Sequence, residues 1–195
     1  MSVTWDNVDE LASKIAEPHF AGNNEPLRPL FDLDNRNHLG QHASTVGLFM
    51  ILANQRIPTK PEIPPEGIRK LRLKLLVEEV CEFAWACGYM IAEADPGKEP
   101  GDKLGREYGI VLRRIANQEP DYEGMVDAAA DIQFVNIGNM LTLGAGDIDL
   151  MNNVCDANLR KFEGDWSIKD GKLVKPADWT PPVYECVTQF NAAKE

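Results

Sequence analysis

An all-α helical bundle is the fold class this sequence predicts, closed by a short C-terminal hairpin or extended tail. Three observations predict it. Apolar residues recur at three- and four-residue spacing in several windows. Strand-like alternation is almost absent. Short connectors rich in Pro and Gly separate the windows. Four or five helices on such connectors bury their apolar stripes by packing against one another.

The first element runs from about Asp6 to Ala16. Asp6 suits an N-cap, and Val8, Leu11, Ala12 and Ile15 share one face. From Pro18 to about His42 the periodicity breaks into prolines, asparagines and Asp-rich turns, which predicts an irregular arm. A second helix is predicted over residues 43–54, carrying Val46, Phe49, Met50 and Ala53. It stops before IPTKPEIPPEG, where prolines block continuation. The third and longest helix is predicted from Gly67 to Ala94. One of its stripes is Ile68, Leu71 and Leu75, then Glu78 or Glu79, then Glu82; beside it run Leu76, Val80, Ala84 and Cys87.

Residues 95–104 read as a loop, followed by a helical piece near 107–117 and a turn at 118–120. The next helix, residues 122–143, carries Asp127, Asp131, Phe134 or Val135, and Gly138 on one side. Gly144 suits its C-cap. A last helix covers 147–162. WSIKDGKLV then reads as a hairpin with Asp170-Gly171 at its turn, and KPADWTPP closes the ordered region. The predicted organisation is an N-terminal helix and arm over 1–40, a helical domain over 41–162, and a hairpin and tail over 163–195.

At 195 residues the chain is long enough for one domain with a real core. Lys and Arg number 20 against 31 Asp and Glu, a net charge of −11. That balance disfavours nucleic-acid backbones and anionic membrane surfaces as partners, while leaving room for a nucleotide held through metal. No apolar stretch is long enough to span a bilayer. The start, MSVTWDNVDELASK, lacks a signal peptide's basic head and apolar core. Cys81, Cys87, Cys155 and Cys186 form no CxxC pair, which fits a reduced cytoplasmic setting without a disulfide framework or zinc site. His19, His38 and His42 are too scattered for a catalytic set.

The chemistry lies in the acids. Glu78, Glu79 and Glu82 interrupt an apolar line, and Asp127 and Asp131 do the same on another helix. On a helix, residues three and four apart share a face. Glu79 with Glu82, and Asp127 with Asp131, therefore each converge. An EExxE string taken alone describes a solvated helix face just as well. Placement on apolar stripes argues for an inward role, because an unpaired buried charge costs several kcal/mol, roughly. A divalent cation would satisfy such a group. With oxygen donors only, the set selects Mg²⁺ or Mn²⁺ over zinc. Mg²⁺ takes one or two carboxylates plus phosphate oxygens, so a fuller acidic set suits ions bridging a polyphosphate. A metal-bound water could then attack phosphorus, with one carboxylate as base.

RIPTKPEIPPEGIRKLRLKLLVEEVCEF resembles the start of the MazG-like, all-α nucleoside triphosphate pyrophosphohydrolases, a superfamily that includes phosphoribosyl-ATP pyrophosphohydrolase, dimeric dUTPases and dCTP pyrophosphatases. DAAADIQFVNIGNMLTLG resembles its second metal helix, and DANLRKF its Asn-x-x-Lys segment. GKLVKPADWTPP is similar to the tail of many phage and bacterial members. The resemblance covers roughly residues 43 to 182, and the motifs together weigh more than any one.

It implies that Glu79, Glu82 and Asp131 ligate Mg²⁺, with Glu78 assisting or acting as base. Asn158 and Lys161 would meet the phosphates, and Phe49 and Gln55 would lie near the base or sugar. Two departures stand out. The second motif is usually ExxD, but its Glu position here is Ala128, with Asp127 one residue earlier. The stretch between the acidic motifs is also longer than in compact members. The activity implied is cleavage of a (deoxy)nucleoside triphosphate to monophosphate and pyrophosphate by a homodimer or homotetramer, with phosphoribosyl-ATP or dUTP/dCTP as alternative substrates. A non-catalytic nucleotide-binding protein is the rival from another class. Trp85, Trp166 and Trp179 read as packing residues.

Overall fold

The computed structural model describes residues 40–94, 103–163, 166–169 and 172–194. The expected helix over 6–16 and the irregular arm lie outside them, as does the Asp170-Gly171 turn. The described chain is mostly helical. Its elements are α1 (Gln41–Leu52), α2 (Glu66–Ala86), β1 (Tyr89–Glu93), α3 (Lys103–Tyr108), β2 (Ile110–Arg114), α4 (Tyr122–Thr142), α5 (Asp147–Leu159) with a 3₁₀ turn over Arg160–Phe162, β3 (Ser167–Lys169), β4 (Lys172–Val174) and α6 (Glu185–Ala192).

These elements divide into two compact units. One comprises the described residues among 1–64 and 137–195, and the other spans Pro65–Asn136. Helix α4 contributes to both.

In the first unit, Ala43, Val46, Met50 and Ile57 pack with Ile137 and Leu141 in one apolar cluster, flanked by Ile51 and Met140. Helix α1 thus lies on the C-terminal part of α4. Two backbone devices fix this corner. Gly144 ends α4 at φ +68°, where a Cβ would stand 2.4 Å from the Lys60 carbonyl oxygen. The Glu62 N–H donates to the Leu143 carbonyl at 3.2 Å, tying the proline loop to that helix end. Gly146 is the N-cap of helix α5, whose Asp147 carboxylate accepts the Gly40 N–H at 2.8 Å, joining the first and third helices of the unit. The hairpin β3–β4 forms as expected, with Ser167 opposite Val174.

Three sequence expectations need correction. Helix α2 ends at Ala86 and does not reach Ala94. Gly88 leaves the helix at φ +81°, and its N–H donates to the Trp85 carbonyl at 2.8 Å. Residues 89–93 form a strand paired antiparallel with Ile110–Arg114, so the expected helical piece at 107–117 is a short helix followed by a strand. The tail also holds a helix, α6, that the periodicity did not predict.

Candidate active site

The second unit is built on α2 and α4, pinned at two places. At one end, the Arg72 guanidinium Nη2 donates to the Val135 carbonyl at 2.9 Å. Arg72 is only 8 % exposed, and burial lowers its pKa from the ordinary value without removing its charge. At the other end, the Asp121 N–H donates to the Ala86 carbonyl at 2.8 Å, and the Gln118 side-chain amide donates to the Trp85 carbonyl at 2.6 Å. The Asp121 carboxylate in turn accepts the Gly124 N–H at 3.2 Å, capping α4. Early α2 meets late α4, and late α2 meets early α4, so the two helices run antiparallel.

This pinning sets the acids against each other. Two helical turns along α2 from Arg72 lead to Glu79; two turns back along α4 from Val135 lead to Ala128. Asp127 and Asp131 flank that turn. Ala128 is only 4 % exposed, so the position where the resembling family carries Glu faces inward and holds a methyl group.

Glu79 is half-buried, whereas Glu78, Glu82, Asp127 and Asp131 are exposed. The Glu79 carboxyl is pushed above its ordinary pKa, first by desolvation and then by the charges of Glu82, Asp131, Glu78 and Asp127, in that order. All five candidate acids thus share one electrostatic environment drawn from two helices. Glu78 has a further partner, the Lys74 ammonium at 3.3 Å, one turn earlier on α2.

The expectation that the acids replace core residues holds only for Glu79, and only in part. Along α2, Ile68, Leu71, Leu73, Val77, Val80 and Phe83 are themselves exposed.

The donor set fits a hard divalent cation in chemistry: carboxylate oxygens, with like charges crowded around Glu79. Among the described residues, however, no three His, Cys, Asp or Glu side chains close to within reach of a single ion. The charges of the other four acids reach Glu79, and side-chain rotation would have to complete any coordination shell.

The remaining candidates lie in the first unit. Phe49, on α1, is 53 % exposed. Gln55 is half-buried, and its N–H donates to the Met50 carbonyl at 2.8 Å. Asn158, near the end of α5, accepts a hydrogen bond from the Lys161 ammonium through Oδ1, while its amide donates to the Val154 carbonyl at 2.9 Å. Asn158 and Lys161 are therefore one local pair.

Sequence reasoning passed over two groups. Arg72 is a charge on the inner side of α2, in line with Glu79, and that placement was its signal. Lys175 carried no signal, because its relation to Trp179 and Lys161 depends on how the tail folds back.

No helix of the described chain is long and apolar enough to cross a membrane. A family model described as phosphoribosyl-ATP pyrophosphohydrolase matches residues 46–158, a span that takes in all five acids, Phe49, Gln55 and Asn158. No curated protein matches the chain.

Proposed function

Because the chain belongs to the phosphoribosyl-ATP pyrophosphohydrolase family, and so to a group of pyrophosphohydrolases acting on nucleotides, we propose that it is a Mg²⁺-dependent nucleoside triphosphate pyrophosphohydrolase. It would convert a (d)NTP to the (d)NMP and pyrophosphate, controlling the cytoplasmic nucleotide pool. The observation that carries this reading is the crowding of Glu79 by acids from both its own helix and α4.

Glu79, Glu82, Asp127 and Asp131 would hold Mg²⁺, with Mn²⁺ able to substitute. When bound, the cation would supply charge neutralisation for the polyphosphate and lower the pKa of a coordinated water. Glu78 would act as base once its Lys74 partner exchanges with solvent, taking the proton of the attacking water. The water oxygen bonds to the α-phosphorus, the bond from that phosphorus to the bridging oxygen breaks, and pyrophosphate leaves. Asn158 and Lys161 would meet phosphate oxygens, and Phe49 and Gln55 the base or sugar. The uncovered apolar side of α2 supports a homodimer or homotetramer.

Two other readings have support. Phosphoribosyl-ATP is the substrate that the family description names. A non-catalytic nucleotide-binding protein is favoured by Ala128, which puts a methyl group where an inward carboxylate would stand. Pyrophosphate release across the common nucleotides and phosphoribosyl-ATP, with and without Mg²⁺, separates all three. The expected result is metal-dependent release from one or more triphosphates, with Glu82→Gln folded but inactive. Release from phosphoribosyl-ATP alone gives the second reading. Binding without release gives the third.

A further inference from the structure

In the first unit, Trp179 is held by a hydrogen bond from its indole Nε1–H to the Ala157 carbonyl at 2.7 Å. That bond draws the tail after β4 onto the end of α5 and fixes the ring. Two ammonium groups lie against this one ring: Lys175 Nζ at 4.1 Å from its centre and Lys161 Nζ at 5.3 Å. Among the described residues neither lysine forms an ion pair with a carboxylate. This happens in a chain of net charge −11.

A bland explanation accounts for one of the two charges. Lys161 sits in the 3₁₀ turn that continues α5, and a helix C-terminus carries about half a negative charge that one cation more than offsets. The second ammonium has no such explanation. Each ammonium is drawn to the ring face, while two like charges at one ring repel each other. A multiply charged anion would turn that repulsion into attraction, and Asn158, bonded to Lys161, brings a polar side chain to the same place.

We propose that Lys161, Lys175 and the immobilised Trp179 ring form a binding site for a phosphoryl anion, with pyrophosphate as its preferred occupant. The choice of pyrophosphate rests on the activity proposed above, of which it is the product. The juxtaposition of the two lysines does not depend on that activity. Lys175 is the new element: it lies outside the family match and is brought in only by the folded tail.

The test is calorimetric titration of the full chain with inorganic pyrophosphate in EDTA, so that metal and turnover play no part. A parallel titration uses a non-hydrolysable nucleoside triphosphate analogue. Loss of one charge-assisted contact weakens binding by about tenfold or more. Lys175→Ala is therefore expected to weaken pyrophosphate binding about tenfold, Lys175→Arg to retain it, and Lys194→Ala, which removes an ammonium from the Phe190 ring instead, to leave it unchanged. Tighter binding of the triphosphate than of pyrophosphate, still lost in Lys175→Ala, would keep the site and assign it to the substrate's phosphates. Absence of pyrophosphate and triphosphate binding by the parent chain, or equal binding by parent and Lys175→Ala, would overturn it. Failure of the nucleotide panel alone would remove the proposed activity and leave this anion site standing.

Discussion

At the scale of single residues, two positions make sharp tests. Gly144 combines a left-handed backbone with a close approach to the Lys60 carbonyl, so any side chain there meets both conformational strain and a steric clash. Gly144→Ala is expected to destabilise the protein by more than about 1–2 kcal/mol, read as a lowered urea midpoint. The sequence alone placed this glycine at a helix end; the facing carbonyl was not legible, because Lys60 reaches it through the proline loop. Glu62 is bound by both guanidinium nitrogens of Arg56, one of them at 2.8 Å, and that hydrogen bonding lowers its carboxyl pKa. A lowered acid pKa stabilises the fold above the unfolded-state value and loses that contribution as pH falls through the folded-state value. The stability gap between the parent and Glu62→Gln, about 0.2–1 kcal/mol for an exposed pair, is expected at neutral pH and should close in acid. Thermal melts across that range measure it.

At the scale of elements, the pairing of α2 with α4 decides whether the acids can act together. Arg72 donates into α4 from a buried position, so its loss removes a charge-assisted bond between the helices. Arg72→Ala is expected to cost about 1.5–3 kcal/mol in chemical denaturation. The helical spacing of Glu79 with Glu82 and of Asp127 with Asp131 was plain in the sequence, because periodicity reports a face. Which face meets which neighbour was not. The same limit explains the error after Ala86. Tyr89-Met90-Ile91 continues an apolar run, and its pairing partner Ile110–Arg114 lies well downstream, so local pattern could not distinguish strand from helix. Helix α6 was missed for the opposite reason: it is short and follows two prolines, and its apolar residues Cys186, Val187 and Phe190 span barely one turn.

At the scale of the whole molecule, the uncovered apolar side chains of α2 are the main fact to explain. Leu73 and Val77 are largely exposed, together with Leu71 and Phe83. Several exposed apolar side chains on one helix suit an association face. The protein is expected to sediment as a dimer or tetramer, and Val77→Asp to shift it toward monomer. A chain that sediments as a monomer at all concentrations would remove the assembly from the proposal. Of these positions only Leu71 lies on a stripe marked by the periodicity, with Ile68 and Leu75, and that stripe was expected to be buried.

The two ties between α2 and α4 have a mechanical consequence. With Arg72 fastened to Val135 and Ala86 to Asp121, neither rod can slide or roll against the other without breaking a fastening. Any adjustment around Glu79 must then come from its own torsions and those of its neighbours. Adding one residue to α4 between Asp131 and Val135 would turn Asp127 and Asp131 about 100° relative to the Val135 tie. The carboxylates would then be carried off the shared face by a chain of unchanged chemistry.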